Sequence, residues 1–194
     1  MAQRKKDEVR AAILDAAFTL FSEQGYSETS IPAIARSAGF STANVYSYFP
    51  SKIDLLFTLY EVWLSAHLDK FEASLRRIKE PGKRLERVLM VLWRELPRAS
   101  NGFANNVMQA VSTSAGSGDY SPRLRVLFQD RVTQWFQSCL DIPDDEAATV
   151  AAVALMAFDG FAMNVHLPHG LACDRRIVRL FGGFLARANA VRTA

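Results

Sequence analysis

The sequence predicts an all-α chain, and three observations carry that prediction. Apolar residues recur at helical steps of three and four along nearly every segment of the 194 residues. Proline and glycine mark most of the breaks between those segments, as at Gly25, Gly39, Pro50, Pro81-Gly82 and Pro168-His169-Gly170. No segment alternates apolar and polar residues as a half-buried strand would, and no internal repeat is found. A hydrophobic fraction of 49% and a charged fraction of 22% suit a packed core and exclude an intrinsically disordered chain.

The first helix shows an apolar stripe at Val9, Ile13, Ala16, Ala17, Leu20 and Phe21, and Gly25 is suited to a left-handed C-terminal cap. Ser30 is a good N-cap for the second helix, and Pro32 falls in its first turn, where a missing N–H costs nothing. Ile34, Ala35 and Ala38 make a short stripe that ends at Gly39. Ser41 opens a third helix, which carries Val45, Tyr46 and Phe49 and stops at Pro50. Phe40, Val45 and Phe49 are expected in the core. Ser51 caps a fourth, longer helix that begins at Lys52 and is expected to reach about Glu80, with a stripe at Leu55, Leu56, Leu59, Trp63, Leu64, Leu68 and Phe71.

After the Pro81-Gly82 break, Leu85 to Leu96 predict a fifth helix closed by Pro97, and Phe103 to Val111 a sixth. Ser112 to Pro122 is rich in turn residues and reads as a mobile loop. Leu124 to Leu140 give a seventh helix. Pro143 and three acids start an eighth, which stays apolar to Val165. A last helix runs from about Arg175 to Asn189. The expected division is a three-helix module over 1–52 and a larger helical domain over 53–194.

Other classes are narrowed by absence. No apolar run approaches the ~20 residues of a membrane span, and the basic N-terminus leads into an amphipathic helix with no signal-peptide core. Cys139 and Cys173 read as two reduced, buried thiols of a cytoplasmic protein. No membrane partner is expected. Net charge is +3, and residues 1–52 hold six Lys/Arg against five Asp/Glu, a balance of only +1. An anionic partner is permitted, but local placement of charge must recognise it.

Two short helices joined by a tight turn at Gly39 have helix-turn-helix spacing. In such a unit the second helix enters the DNA major groove with its first residues toward the base edges. Those residues are Ser41, Thr42, Ala43 and Asn44, all short enough for close approach. Asn44 can pair with adenine in bidentate fashion, worth roughly 1–3 kcal/mol against the wrong base. Thr42 can read a base edge or bond a phosphate, and Ala43 can meet a thymine methyl. Ser30, Arg36, Tyr46, Ser47, Tyr48 and Lys52 suit the phosphate backbone, as do Arg4, Lys5 and Lys6 ahead of the first helix.

At this point the stretch TSIPAIARSAGFSTANVYSYFPSKIDLL resembles the DNA-binding signature of the tetracycline-repressor (TetR) family. The matching elements are Gly25-Tyr26, Ser30, Ile34-Ala35, Ala38-Gly39, Ser41, Val45-Tyr46, Tyr48-Phe49-Pro50, Ser51-Lys52 and Leu55. Their order and spacing agree from about Ala11 to Leu56, roughly a quarter of the chain. Ala43 stands where the family often has glycine, and Pro32 where it usually has a charged residue.

The resemblance implies a homodimer that binds a near-palindromic double-stranded DNA operator. It also implies a C-terminal domain that binds a small-molecule effector, and a dimer made by the last two long helices. Candidate dimer residues are Ala151, Leu155, Phe158, Phe181, Phe184 and Leu185. Candidate effector contacts are Trp63, His67, Trp93, Phe103, Asn106, Met108, Phe128, Trp135 and Asp159, a set that suits an apolar or aromatic molecule. His166, like Asp159, interrupts the apolar eighth helix.

No catalytic motif is found: GxSxG, a P-loop, HExxH and paired CxxC are all missing, so no enzyme activity is expected. His166 and His169 lie three apart among proline and glycine with no further ligand nearby, so neither a metal nor a cofactor is expected. The alternative to a DNA-binding regulator is a helical protein–protein adaptor, which would leave the polarity of Ser41–Lys52 without a use.

Overall fold

A computed structural model describes the backbone of residues 2–114 and 121–193 and the side chains of 4–114 and 121–188. Most of the stretch expected to be a mobile loop therefore lies outside the described residues. Among the described residues there are nine α-helices and no strand. They are α1 (Ala2–Glu28), α2 (Ile31–Ala38), α3 (Thr42–Tyr48), α4 (Lys52–Leu75), α5 (Pro81–Met90), α6 (Phe103–Ser114), α7 (Arg123–Leu140), α8 (Asp144–Asn164) and α9 (Arg175–Thr193). A π-helical turn (Val91–Glu95) and a 3₁₀ turn (Leu96–Arg98) continue α5.

The elements differ from the sequence reading in places where local chemistry explains the change. α1 begins at Ala2, so Arg4, Lys5 and Lys6 lie in its first turns and not in a tail. Nothing between Ala2 and Val9 breaks a helix, and Ala, Gln, Arg and Lys all favour one. Gly25 has φ 81° and ψ 169°, which is a kink near the end of α1 and not a left-handed cap. That backbone region is open essentially to glycine alone. α4 stops at Leu75, short of Glu80. Pro81 holds the preceding Glu80 in an extended conformation (φ −79°, ψ 118°) and starts α5 at its first position.

The chain forms two compact units, Met1–Leu64 with Ala99–Pro122, and Ser65–Arg98 with Arg123–Ala194. α4 gives its first half to the first unit and its second half to the second.

In the first unit, Ile13, Ala17 and Phe21 of α1 are buried with Ile34, Val45, Phe49, Leu55 and Leu56. The kink at Gly25 turns the Tyr26 N–H out of the helical ladder, and the amide of Asn106 meets it and the nearby Phe21 carbonyl. The Tyr26 N–H donates to Asn106 Oδ1 (2.7 Å), and Asn106 Nδ2 donates to the Phe21 carbonyl (2.8 Å) and to the Tyr60 hydroxyl (2.7 Å). The Tyr60 hydroxyl in turn donates to the Asn101 carbonyl (2.8 Å). Gln109 Oε1 accepts from the Ser27 N–H (3.1 Å), so α6 secures the end of α1 at two points one turn apart.

In the second unit, Ala147, Ala151, Ala154, Phe158 and Ala162 form the inward face of α8. Its steps of four and three place these small side chains on one stripe, which lets neighbouring helices approach closely. Gly182 of α9 does the same against α5: a Cβ there would lie 3.6 Å from Leu89 Cδ1. Arg131 of α7 donates through Nε to Glu72 Oε1 of α4 (2.7 Å) and pairs with Asp69.

α8 also changes one sequence expectation. It averages a mean hydropathy of 1.5 over its most apolar 18 residues, long and apolar enough by composition to cross a membrane, with 28% of that window buried. This corrects the expectation that no apolar run approaches a membrane span; Asp159 and Gly160 lie within the apolar stretch and mask its length. Val153, Met156 and Met163 on this helix are 51%, 70% and 56% exposed.

Candidate nucleic-acid interface

Local chemistry builds the helix-turn-helix. Ser30 caps α2, with the Ala33 N–H donating to its Oγ (3.3 Å). Gly39 ends α2 in the left-handed conformation (φ 78°, ψ 26°). The Gly39 N–H donates to the Arg36 carbonyl (3.2 Å) and the Phe40 N–H to the Ala35 carbonyl (2.9 Å), the paired bonds of a Schellman turn. Ser41 then caps α3, with the Asn44 N–H donating to its Oγ (3.2 Å). Ser51 caps α4 through the Asp54 N–H (3.1 Å). Three serines and one glycine thus fix four helix ends within 22 residues, Ser30 to Ser51.

The resulting α3 buries Val45, with Phe49 buried just beyond it, and turns the rest outward. Ser41, Ala43, Asn44, Tyr46 and Ser47 are exposed, while Thr42 and Tyr48 are half-buried. Ser30 and Arg36 on α2 are exposed beside them. The Ser47 hydroxyl donates to the Asn44 carbonyl (2.7 Å), and the Asn44 side chain is exposed to solvent. The Arg10 guanidinium sits 5.4 Å from the Phe49 ring, tying α1 to the end of α3.

Lys52 has a different position from the phosphate contact read from the sequence. Its ammonium donates to the carbonyls of Tyr26 (2.8 Å) and Thr29 (3.0 Å) and lies 4.1 Å from the Tyr26 ring centre. Burial lowers its pKa, opposed by the Glu28 charge. The lysine thus joins the first turn of α4 to the α1–α2 link. Lys5 and Lys6 are exposed, and Arg4 pairs with Glu8 (3.0 Å) on the same helix face.

The expected effector contacts fall in both units. In the first, Trp63 packs against Phe103 with ring centres 5.1 Å apart and lines a groove of about 260 Å³ with Phe18, Leu59 and Val62. Met108 is half-buried. Asn106 is spent on the backbone at the α1 kink, so its amide is not free for a ligand. In the second unit, Trp93 donates to the Ala154 carbonyl (2.9 Å) and packs on Phe161 and Phe181, a core role. Phe128 meets Phe158 edge to face at 5.5 Å. His67 is half-buried, and His166 is exposed. Asp159 is exposed as a residue, yet packing around its carboxyl raises its pKa while Arg125 opposes the rise. Trp135 donates to Glu72 Oε1 (2.9 Å) and borders a cleft of about 240 Å³.

The six expected dimer residues divide by orientation. Ala151 and Phe158 point into the unit's own core, and Phe181 is engaged by Trp93, so these three are consumed within the chain. Leu155 and Leu185 are half-buried, and Phe184 is 62% exposed. The outward apolar stripes are instead Val153, Met156 and Met163 on α8, and Ile177, Leu180 and Phe184 on α9. The sequence could not orient α8, because a helix that is apolar all round carries no directional signal.

Comparison with known proteins follows the same division. Residues 13–59 match the family described as bacterial regulatory proteins, tetR family. The chain is 43% identical over 88 residues to the HTH-type transcriptional regulator HbdR of Aromatoleum sp. (strain CIB), covering 45% of this chain and 37% of that protein. Against several curated relatives the match spans two fifths of their length or less. The HTH-type transcriptional regulator BetI of Agrobacterium fabrum is 28% identical over 177 residues, covering 87% of this chain and 84% of BetI. A crystal structure of a putative transcriptional regulator from Saccharomonospora viridis in complex with choline shares the fold, with a TM-score of 0.63 at 24% identity, covering 94% of this chain and 97% of that one.

Proposed function

Because residues 13–59 make the chain a member of the tetR family of bacterial regulatory proteins, we propose that it is a ligand-responsive transcriptional regulator. In this reading it is a repressor that binds a near-palindromic operator as a homodimer and leaves it when a small apolar or aromatic effector binds. It is not an enzyme, and it acts in the cytoplasm, where its operator is. Residues 1–52 read DNA, and residues 53–194 bind the effector and form the dimer.

The observation that carries the reading is the outward face of α3. Its short polar residues stand on a helix whose two ends are fixed by Ser41 and by the Phe49 N–H bonded to the Val45 carbonyl (3.0 Å). A rigid helix with Asn44 exposed near its N-terminus is what major-groove readout requires. Arg36, Tyr46 and Ser47 flank it for phosphate contacts. A protein–protein adaptor has no use for this face.

Two copies are joined through the exposed stripes of α8 and α9. A two-fold dimer presents two reading heads to half-sites about 34–36 Å apart, or a related spacing. Release is a population shift: an effector that favours splayed heads lowers operator affinity by its differential affinity for the two states. α4 is the lever, about 36 Å long for 24 residues. Lys52 makes its first turn move with the α1–α2 link. The choline complex of the Saccharomonospora viridis regulator supports small-molecule binding by this fold.

Selection of bound fragments from the source genome tests the reading. The native chain should recover a near-palindrome. Asn44→Ala should weaken binding to it by 1–3 kcal/mol, about 5- to 150-fold. Equal recovery of unrelated fragments by the native chain and an Asn44→Ala, Tyr46→Ala variant would overturn it in favour of the adaptor.

A further inference from the structure

We propose that the cleft bordered by the last turns of α4, by α5 and by α7 in the second unit binds a small organic anion with an apolar or aromatic body. Its volume is about 240 Å³, below the 300–1,000 Å³ typical of sites for drug-sized ligands. A single ring or a short chain fits, and a long acyl chain does not. Leu75 and Trp135 provide the apolar wall, and Trp135 is fixed by its bond to Glu72 and by edge-on packing against Phe71 (4.7 Å).

The charge comes from Arg76 and Arg84. Arg84 donates through one Nη to the Ser138 carbonyl near the end of α7 (3.0 Å). Its Nε is buried with no hydrogen-bond partner, and among the described residues no carboxylate pairs with it. Anchoring α7 accounts for one of its five donors. It does not account for the unmatched Nε–H, which an ion or solvent atom not contributed by the chain would satisfy. Arg76 is exposed on the same cleft.

Glu72 is the one acid on the lining, and it already accepts from Arg131 Nε and Trp135 Nε1. It therefore does not neutralise Arg84. Two guanidiniums and the Gln134 carboxamide face the cleft, so donors exceed free acceptors and a carboxylate is the matching group. An aromatic carboxylate would set its ring on Leu75 and Trp135 and its oxygens toward the arginines.

The test uses the full chain, labelled with ¹⁵N and titrated with benzoate without DNA, so its outcome is separate from that of the operator reading. The Arg84 Nε–H resonance, assigned by its loss in R84Q, should shift and saturate. R76Q, a surface change that leaves the fold intact, should weaken benzoate about tenfold or more. Benzyl alcohol, the same ring without charge, and sulfate, charge without the ring, should each bind about tenfold more weakly or worse. The proposal is overturned by the lack of a saturable shift, by benzyl alcohol or sulfate matching benzoate, or by unchanged affinity in R76Q.

Discussion

Replacing Asn106 with alanine is the sharpest test of how the first unit holds together. The variant loses three hydrogen bonds at once. Two serve backbone groups beside the Gly25 kink, the Tyr26 N–H, which the kink turns out of the helical ladder, and the Phe21 carbonyl. Leaving a buried backbone group unsatisfied costs about 1–3 kcal/mol. The Tyr60 hydroxyl keeps its bond to the Asn101 carbonyl, so it adds little. The orphaned Tyr26 N–H gives about 1–3 kcal/mol and the lost bond to the Phe21 carbonyl about 1 kcal/mol, and water entering the vacated space recovers part, so we expect a loss of about 2–3 kcal/mol. Urea unfolding followed by circular dichroism measures it. Asn105→Ala is the control: a half-buried asparagine on the same helix, one residue away, expected to cost under about 0.5 kcal/mol. A double-mutant cycle with Tyr60→Phe should give a coupling of about 0.5 kcal/mol or more, since the two side chains share a bond. If Asn106→Ala cost no more than Asn105→Ala, the view that this amide replaces a missing helical bond would be refuted.

Two further outcomes follow from burial. Burial pushes the Tyr60 phenol up to about 12, with the bond to Asn106 pulling the other way. A phenol that ionises near pH 10 when unfolded and near 12 when folded adds stability fully present below pH 10 and lost as pH rises from 10 to 12. The loss is about 3 kcal/mol, and Tyr60→Phe should remove that part of the alkaline slope between about pH 10 and pH 12. Phe184→Arg places a charge on the exposed stripe of α9 while leaving the unit's own core alone, so sedimentation should show folded monomers; an intact dimer would remove α9 from the interface.

The helix-turn-helix was legible because it is written in nearest-neighbour chemistry. Ser30, Ser41 and Ser51 each bond an N–H three residues on, and Gly39 closes a turn spanning six residues. Asn106 looks like a ligand contact in the sequence, because a lone amide on an apolar helix reads the same whether it meets a ligand or a backbone 85 residues away. Lys52 looks like a phosphate contact for a similar reason, since its two carbonyl partners lie 26 and 23 residues back. Arg84 and Arg76 carried no signal at all. Each is an ordinary basic residue near a helix end, and only the placement of α7 beside α5 leaves one of them without a counter-ion. On α8 the length and apolar character were plain, but which alanines faced inward depended on neighbours that no local pattern encodes.

The widened turn at Val91–Glu95 changes how this segment can tolerate insertions and deletions. A π-helical turn holds one residue more than the α-helical turn it replaces. Removing a single residue there would restore a regular helix and leave no broken chain, so a shorter relative could keep α5 intact. The helix before the turn and the helix after it would keep their relative phase, because the wider turn completes the same rotation with one residue more. Trp93 lies inside the turn, between Phe161 and Phe181 at 5.7 Å and 5.0 Å. The change would be confined to the turn itself, where Trp93 and its bond to the Ala154 carbonyl sit. The extra residue therefore acts locally: it shapes the aromatic cluster around Trp93 and leaves the helix on either side in register.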